Sequence, residues 1–385
     1  MTRPQTRLRA LLVRLGFALG RLTPVRRRVV LATSHADRAS GNLAELRDRL
    51  SASLPAIEVV ALARRLRPGW RATARAAIDA IVAGWHLATA RLFVVDDYYF
   101  PMYAIRPRPG TTRVQLWHAC GAFKRFGYSV LDRAFGADEA DVSRFPIHTN
   151  YDLCLVSAAR FAPFYAEAFR QPLDRITSRF GIPRTDLFFD AGRMAAATEA
   201  IRRSYAIPAG RTVILYAPTF RGTSGTSATS PPGLDMARLG EALGEDHVLL
   251  HRRHPYVGSE PPVRAPAGFV IDVSHWPELN ELMLVSDILV TDYSSAIFEF
   301  ALLERPIVFF APDEIAYEGE RGFYWDFQRG APGPIARTTE ELIGILRAGA
   351  YDLDRVRSFR AASFDVADGR ATDRLIEEVV LPALR

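Results

Sequence analysis

Several polar residues in this sequence fall just after apolar runs, where a buried strand would hand its chain to a loop. The run ending at Trp117 is followed by His118-Ala119-Cys120-Gly121-Ala122-Phe123-Lys124. An imidazole at the carboxyl end of a strand is well placed for general-base work. The small residues after it would admit a ligand close to the backbone, and Lys124 could neutralise a phosphate. A histidine that only caps the next helix is the plainer alternative. Lys124 is the one lysine among 49 basic residues, a compact ammonium where arginine is the default.

Three more segments share this placement. Ala217-Pro218-Thr219-Phe220-Arg221 follows the run 213–216; proline fixes a turn, and a threonine hydroxyl with free N–H groups suits phosphate or ribose. His251-Arg252-Arg253-His254-Pro255 gathers cations after 248–250. Its two histidines have no Glu or Cys at metal spacing, so the cluster reads as an anion clamp and no metal is called for. The strongest pattern spans 286–299, where an apolar run ends at Thr291 and Ser294-Ser295 would open a helix. Unpaired N–H groups at a helix start, with two hydroxyls, suit a diphosphate. Glu299 lies about one turn further on, in reach of ribose hydroxyls. Ordinary serine capping is the plain reading, although Ser295 to Glu299 is one residue too long for a capping box. There is no Walker A or GxGxxG sequence, and no cofactor is required. The single DxD spacing, Asp352-Leu353-Asp354, reads as a solvated helix start.

Positioning these loops requires parallel strands. Apolar runs at 29–34, 58–62, 92–95, 113–117 and 153–157 alternate with helical patterns such as 43–50 and 72–88. A second set lies at 212–216, 247–251, 269–272, 288–291 and 307–310. Such alternation specifies α/β structure with helices on both faces of a parallel sheet. Two successive sets give two Rossmann-like domains facing a cleft, with ligands beyond the carboxyl strand ends. We expect an N-terminal domain over 29–205 and a C-terminal domain over 206–385, the last helix free to pack back on the first domain. The Gly/Ser/Thr-rich stretch 222–233 reads as a solvated loop.

The 385 residues suit two domains better than one core. Two cysteines, Cys120 and Cys154, give no disulfide framework and favour a reducing compartment. A formal net charge of +6 favours anionic partners. Residues 1–28 hold eight arginines and no acid, and Leu8, Leu11, Leu12, Leu15, Leu19 and Leu22 share one helical stripe. A basic amphipathic helix of this kind lies in an anionic membrane interface; a helix docked on the protein's own body is the alternative. Arg14 and Arg21 interrupt the run, so it is neither a spanning helix nor a signal core. The expectation is a peripheral protein on the cytoplasmic face of the membrane. Nucleic acid is a poor fit, because the arginine excess concentrates at the N-terminus without interleaved aromatics.

Together QLWHACGAFKRFG (115–127), GIPRTDLF (181–188), YAPTFRG (216–222), RRHP (252–255) and SDILVTDYSSAIFEFALLERPIVFF (286–310) resemble the CDP-glycerol glycerophosphotransferases of wall teichoic acid synthesis. The resemblance implies a GT-B fold, with an acceptor domain first and a nucleotide domain second. It also implies transfer of glycerol phosphate from CDP-glycerol to a polyprenyl-diphosphate-linked acceptor, releasing CMP. Within it His118 matches the motif histidine taken as catalytic. Arg184, Pro218, Thr219, Arg252, His254, Ser294, Ser295 and Glu299 match donor-contacting positions. Glu299 departs from the family's commoner aspartate, and the WHACGAFK form is closer to smaller, primase-like members. The expected mechanism is direct displacement at the β-phosphorus, with His118 as base. His254, the Arg252–Arg253 pair and the Ser294–Ser295 helix end would stabilise the diphosphate. CDP-ribitol or a nucleotide sugar is the alternative donor.

Overall fold

The computed structural model describes residues 3–65, 70–131, 133, 139–222, 228–258, 260–261 and 263–385. The loop expected over 222–233 lies in part outside these residues.

Two six-stranded sheets, parallel in every pairing, carry the chain. The first contains β1 (Arg26–Thr33), β2 (Glu58–Ala63), β3 (Ala90–Val95), β4 (Thr112–Gln115), β5 (Leu153–Leu155) and β6 (Ile176–Thr177), in the order β2-β1-β3-β4-β5-β6. The second contains β7 (Thr212–Tyr216), β8 (His247–His251), β9 (Val270–Asp272), β10 (Ile288–Thr291), β11 (Ile307–Phe310) and β12 (Ile335–Ala336), in the order β12-β11-β10-β7-β8-β9. Central strands are buried on both faces, which is why they read as unbroken apolar runs. All ten expected runs are strands, though 153–157 pairs only as far as Leu155 and the fourth stops at Gln115. β6 and β12 were not expected, being two residues each.

The helix Ala191–Tyr205 follows the first sheet, its N-terminus capped by the Asp190 carboxylate accepting from the Arg193 N–H. The last helical turns return to the first sheet's side of the molecule. There the Asp186 carboxylate accepts the Ala371 and Thr372 N–H groups at 2.9 and 2.8 Å, and Arg49 pairs with Asp373.

The N-terminal segment forms α1 (Arg3–Arg21), ahead of α2 (Gly41–Ser53) and α3 (Trp70–Thr89). α1 lies against α3 through its small-residue face. A Cβ at Gly16 would fall 1.9 Å from the Ile81 carbonyl oxygen, and one at Gly84 would fall 2.0 Å from that of Val13. Ala10, Val13 and Phe17 are buried in this contact, whereas Leu8, Leu11, Leu15 and Leu19 stay about half exposed. The helix does dock on the body, with Leu12 partly buried against the core and the other leucines of the stripe facing out. Among the described residues no helix is long and apolar enough to cross a membrane.

An aromatic seam ties the two sheets together. Phe123 stacks on Phe323 and Trp325 at centroid distances of 4.8 and 4.4 Å, and the Lys124 backbone pairs with Phe323 as an antiparallel bridge. Gly121 has φ of +65°, and a Cβ there would come within 2.4 Å of the Phe298 ring. This revises the reading of the small residues after His118. At Gly121 the group admitted close to the backbone is the Phe298 side chain, from the helix that follows β10, not a ligand.

Candidate active site

The carboxyl ends of both sheets face one cleft. Its inner part, about 190 Å³, is lined by nine of the eleven expected residues: His118, Arg184, Pro218, Arg252, Arg253, His254, Ser294, Ser295 and Glu299. Thr219 and Lys124 line an adjoining space of about 760 Å³, which shares His118, His254, Ser294 and Ser295.

His118 owes its orientation to a strained residue. Trp117 has φ of +55°, a left-handed conformation that is costly for a bulky side chain. Two buried amides hold it: the Gln115 Oε1 accepts the Trp117 N–H at 2.8 Å, and Asn42 Nδ2 donates to the Trp117 carbonyl at 2.6 Å. The His118 ring then lies 44% exposed in the cleft. Its Nδ1 faces the Asp96 carbonyl oxygen at 3.2 Å and the Asp97 Oδ1 at 3.6 Å. Both neighbours accept only, so the proton sits on Nδ1 and the Nε2 lone pair is left for a substrate. Desolvation by the surrounding protein lowers its pKa, with Asp97 pulling it back up, so the ring is a neutral base at pH 7.

Arg184 joins the two halves. Its Nη1 donates to the His118 carbonyl at 2.5 Å, its Nη2 to Asn280 Oδ1 at 3.2 Å, and its Nε lies 3.5 Å from Glu299 Oε1. Glu299 is 3% exposed, and among the described residues its Oε2 has no hydrogen-bond partner. Burial raises its pKa against the pull of Arg184. A buried lone-pair oxygen on the cleft wall is an acceptor for a ligand hydroxyl.

The opposite wall is cationic. Desolvation first, then Lys124, Arg321, Arg252 and Arg65, push the His254 pKa down to about 3. Its Nδ1 accepts the Tyr256 N–H at 3.2 Å, so Nε2 carries the proton and points a donor elsewhere. In the charge-stabilising role expected of it, His254 would act as a neutral donor surrounded by cations, not as a cation itself. Other expectations are also narrowed. The Thr219 hydroxyl and N–H are held by Asp292 at 2.8–3.0 Å, and Arg221 pairs with the same carboxylate, so that hydroxyl shapes the loop instead of meeting phosphate. Arg253 pairs with the Asp272 carboxylate at 2.8 Å, whereas Arg252 donates to the neutral Ser274 carbonyl and keeps its charge. Ser294 Oγ accepts the Ala296 N–H at 3.2 Å, while Ser295 makes no side-chain cap bond. Arg65 crosses the mouth of the cleft, donating to the Pro255 carbonyl at 3.2 Å and lying over Tyr256.

Sequence reasoning missed His35, Asp97, Tyr98 and Arg321, which line the larger space. The first three follow strands β1 and β3, so the rule that pointed to His118 applied to them too.

Two parallel-sheet domains with a cation-walled cleft between them define a GT-B transferase fold. Residues 17–381 match the family model described as CDP-Glycerol:Poly(glycerophosphate) glycerophosphotransferase, and the chain belongs to that family. It is 35% identical over 362 residues to a teichoic acid ribitol-phosphate primase of Bacillus spizizenii, covering 93% of this chain and 92% of that one. It is 37% identical over 300 residues to a teichoic acid poly(ribitol-phosphate) polymerase of the same organism, covering 77% of this chain but 48% of the polymerase. A structure of the wall teichoic acid polymerase TagF soaked with CDPG superposes with a TM-score of 0.77 at 23% identity, covering all of both chains.

Proposed function

We propose that this protein transfers a polyol phosphate from a CDP-activated donor to a lipid-linked acceptor in teichoic acid synthesis, releasing CMP. The observation that carries the reading is the pairing of a neutral, unblocked imidazole, His118, with a cation-ringed donor, His254, across one cleft. The acceptor hydroxyl would lose its proton to His118 Nε2 as its oxygen attacks the β-phosphorus. The bond from that phosphorus to the bridging oxygen would break, its electron pair leaving with CMP. Lys124, Arg252 and the Ser294–Ser295 turn would hold the diphosphate, and Glu299 Oε2 would take a ribose hydroxyl. Electrostatic positioning of this kind carries most of phosphoryl-type catalysis.

Ribitol phosphate is the first donor group to test, because a relative 35% identical along nearly the whole of both chains is named a ribitol-phosphate primase. Glycerol phosphate, the group in the family's description, is the second. The exposed leucines of α1, with Ile78 and Val82 exposed on the α3 helix that packs against it, support seating on the cytoplasmic face of an anionic membrane, within reach of a polyprenyl-linked acceptor.

The test is CMP release from CDP-ribitol or CDP-glycerol with a lipid-linked disaccharide acceptor bearing a terminal polyol phosphate, and with one lacking it. Acceptor-dependent release with one donor establishes the reaction. No release from either donor by the folded protein overturns it.

A further inference from the structure

Three adjacent strands of the first sheet, β1, β3 and β4, end in side chains that meet at one carboxylate. Asp97, two residues beyond β3, has one oxygen toward each of two histidines: Oδ1 lies 3.6 Å from His118 Nδ1, and Oδ2 lies 3.3 Å from His35 Nδ1. His35, two residues beyond β1, also meets the Thr33 hydroxyl at 2.8 Å and lies 3.7 Å from Asp96 Oδ1. The two imidazole centroids are 5.8 Å apart. Asp97 is 14% exposed and Asp96 3%, so these charges interact with little screening.

We propose that Asp97 is a positioning residue for the transfer reaction: it fixes His118 with its proton on Nδ1, stabilises the imidazolium formed when His118 takes the acceptor proton, and is itself shared with His35, which moderates that support. The mechanistic part rests on the function proposed above. A base that starts neutral and ends charged gains most from an anion that faces it only through the nitrogen not in use. A second imidazole on the same carboxylate competes for its charge.

The groups facing this cluster set the signs. Around His118 stand Asp97, His35, Arg184 and the Asp96 carbonyl, with His148 behind Trp117. Around His35 stand Asp97, Asp96 and Arg184. Desolvation opposes charge on Asp97, but the His35 hydrogen bond and the two histidine charges outweigh it and leave the carboxyl below its usual range. Asp96, buried deeper, is pushed up to about 6. Near neutral pH Asp97 is therefore the dependable anion. Asp97 raises the His118 pKa and His35 lowers it, so removing one or the other should move His118 in opposite directions.

The test uses the full chain with ¹⁵N-labelled histidine, reading ring-nitrogen shifts against pH, with the His118 signal assigned from His118→Gln. The expected result is an Nδ1-protonated His118 whose midpoint falls in Asp97→Asn and rises in His35→Gln. In turnover, Asp97→Asn should lower kcat by roughly 10²–10⁴-fold with donor KM held. The rising limb of kcat/KM, which follows deprotonation of the base, should move to lower pH in that variant and to higher pH in His35→Gln. A purely structural role would move neither midpoint. An Nε2-protonated His118, unchanged midpoints, or shifts of one sign in both variants would overturn the proposal. The spectra need no substrate, so this outcome is separate from whether either donor is used. His35, partly exposed, carries the test alone if Asp97→Asn does not fold.

Discussion

The two walls of the cleft are built on different principles. On the N-terminal wall charges are balanced and directions are specified: two histidines share one carboxylate, and Gln115 and Asn42 hold the turn before His118. On the C-terminal wall the directions are looser and the sign is what matters: burial first, then Arg252, Arg321 and, from the N-terminal domain, Lys124, keep His254 neutral. A wall that moves a proton must fix a lone pair. A wall that holds a diphosphate needs mainly positive potential, which several cations can supply together.

Substitutions on each wall should therefore fail differently. The largest loss is expected for His118→Ala, where kcat should fall by roughly 10²–10⁴-fold while CDP-donor affinity by calorimetry is nearly unchanged; near-normal turnover would remove the contrast. Next comes a control outside both walls, the pair Leu11→Glu and Leu15→Glu on α1. At about 1.5–3 kcal/mol per buried leucine, flotation with phosphatidylglycerol vesicles should weaken roughly hundredfold or more, with turnover of a short, soluble acceptor unaffected. The smallest effect is expected for Lys124→Gln, one cation among several. Donor KM should rise about tenfold, or about 1.4 kcal/mol, with kcat little changed and the difference narrowing as salt is added. A loss in kcat as large as that of His118→Ala would mean that the cations around His254 also govern the chemical step.

Much of this was legible in the sequence because buried parallel strands announce themselves as unbroken apolar runs, and the residues that follow them face the ligand side of the sheet. That rule found eight of the inner cleft's residues, and the family resemblance added Arg184. It did not reveal pairings. Nothing in the order of residues shows that Asp272 holds Arg253, that Asp292 occupies Thr219, or that cations from four separate segments converge on His254. β6 and β12 are too short to carry a period. The leucine stripe of α1 was plain, but the docking face was not. Its signal was Gly16 and Gly20 spaced four apart opposite Gly84, a small-residue face that lets two backbones touch.

The seam at Phe123 and Phe323 and the clasp of Arg184 with Asn280 and Glu299 attach the two sheets at separate points. Atoms beside such fastenings are the least free to move, and His118, whose carbonyl is bonded to Arg184, sits beside one of them. Arg65, spanning the mouth to Pro255 and Tyr256, is an exposed latch whose release costs about the worth of one surface contact, ~1 kcal/mol or less. Release of that latch would open the mouth while His118 keeps its bearing.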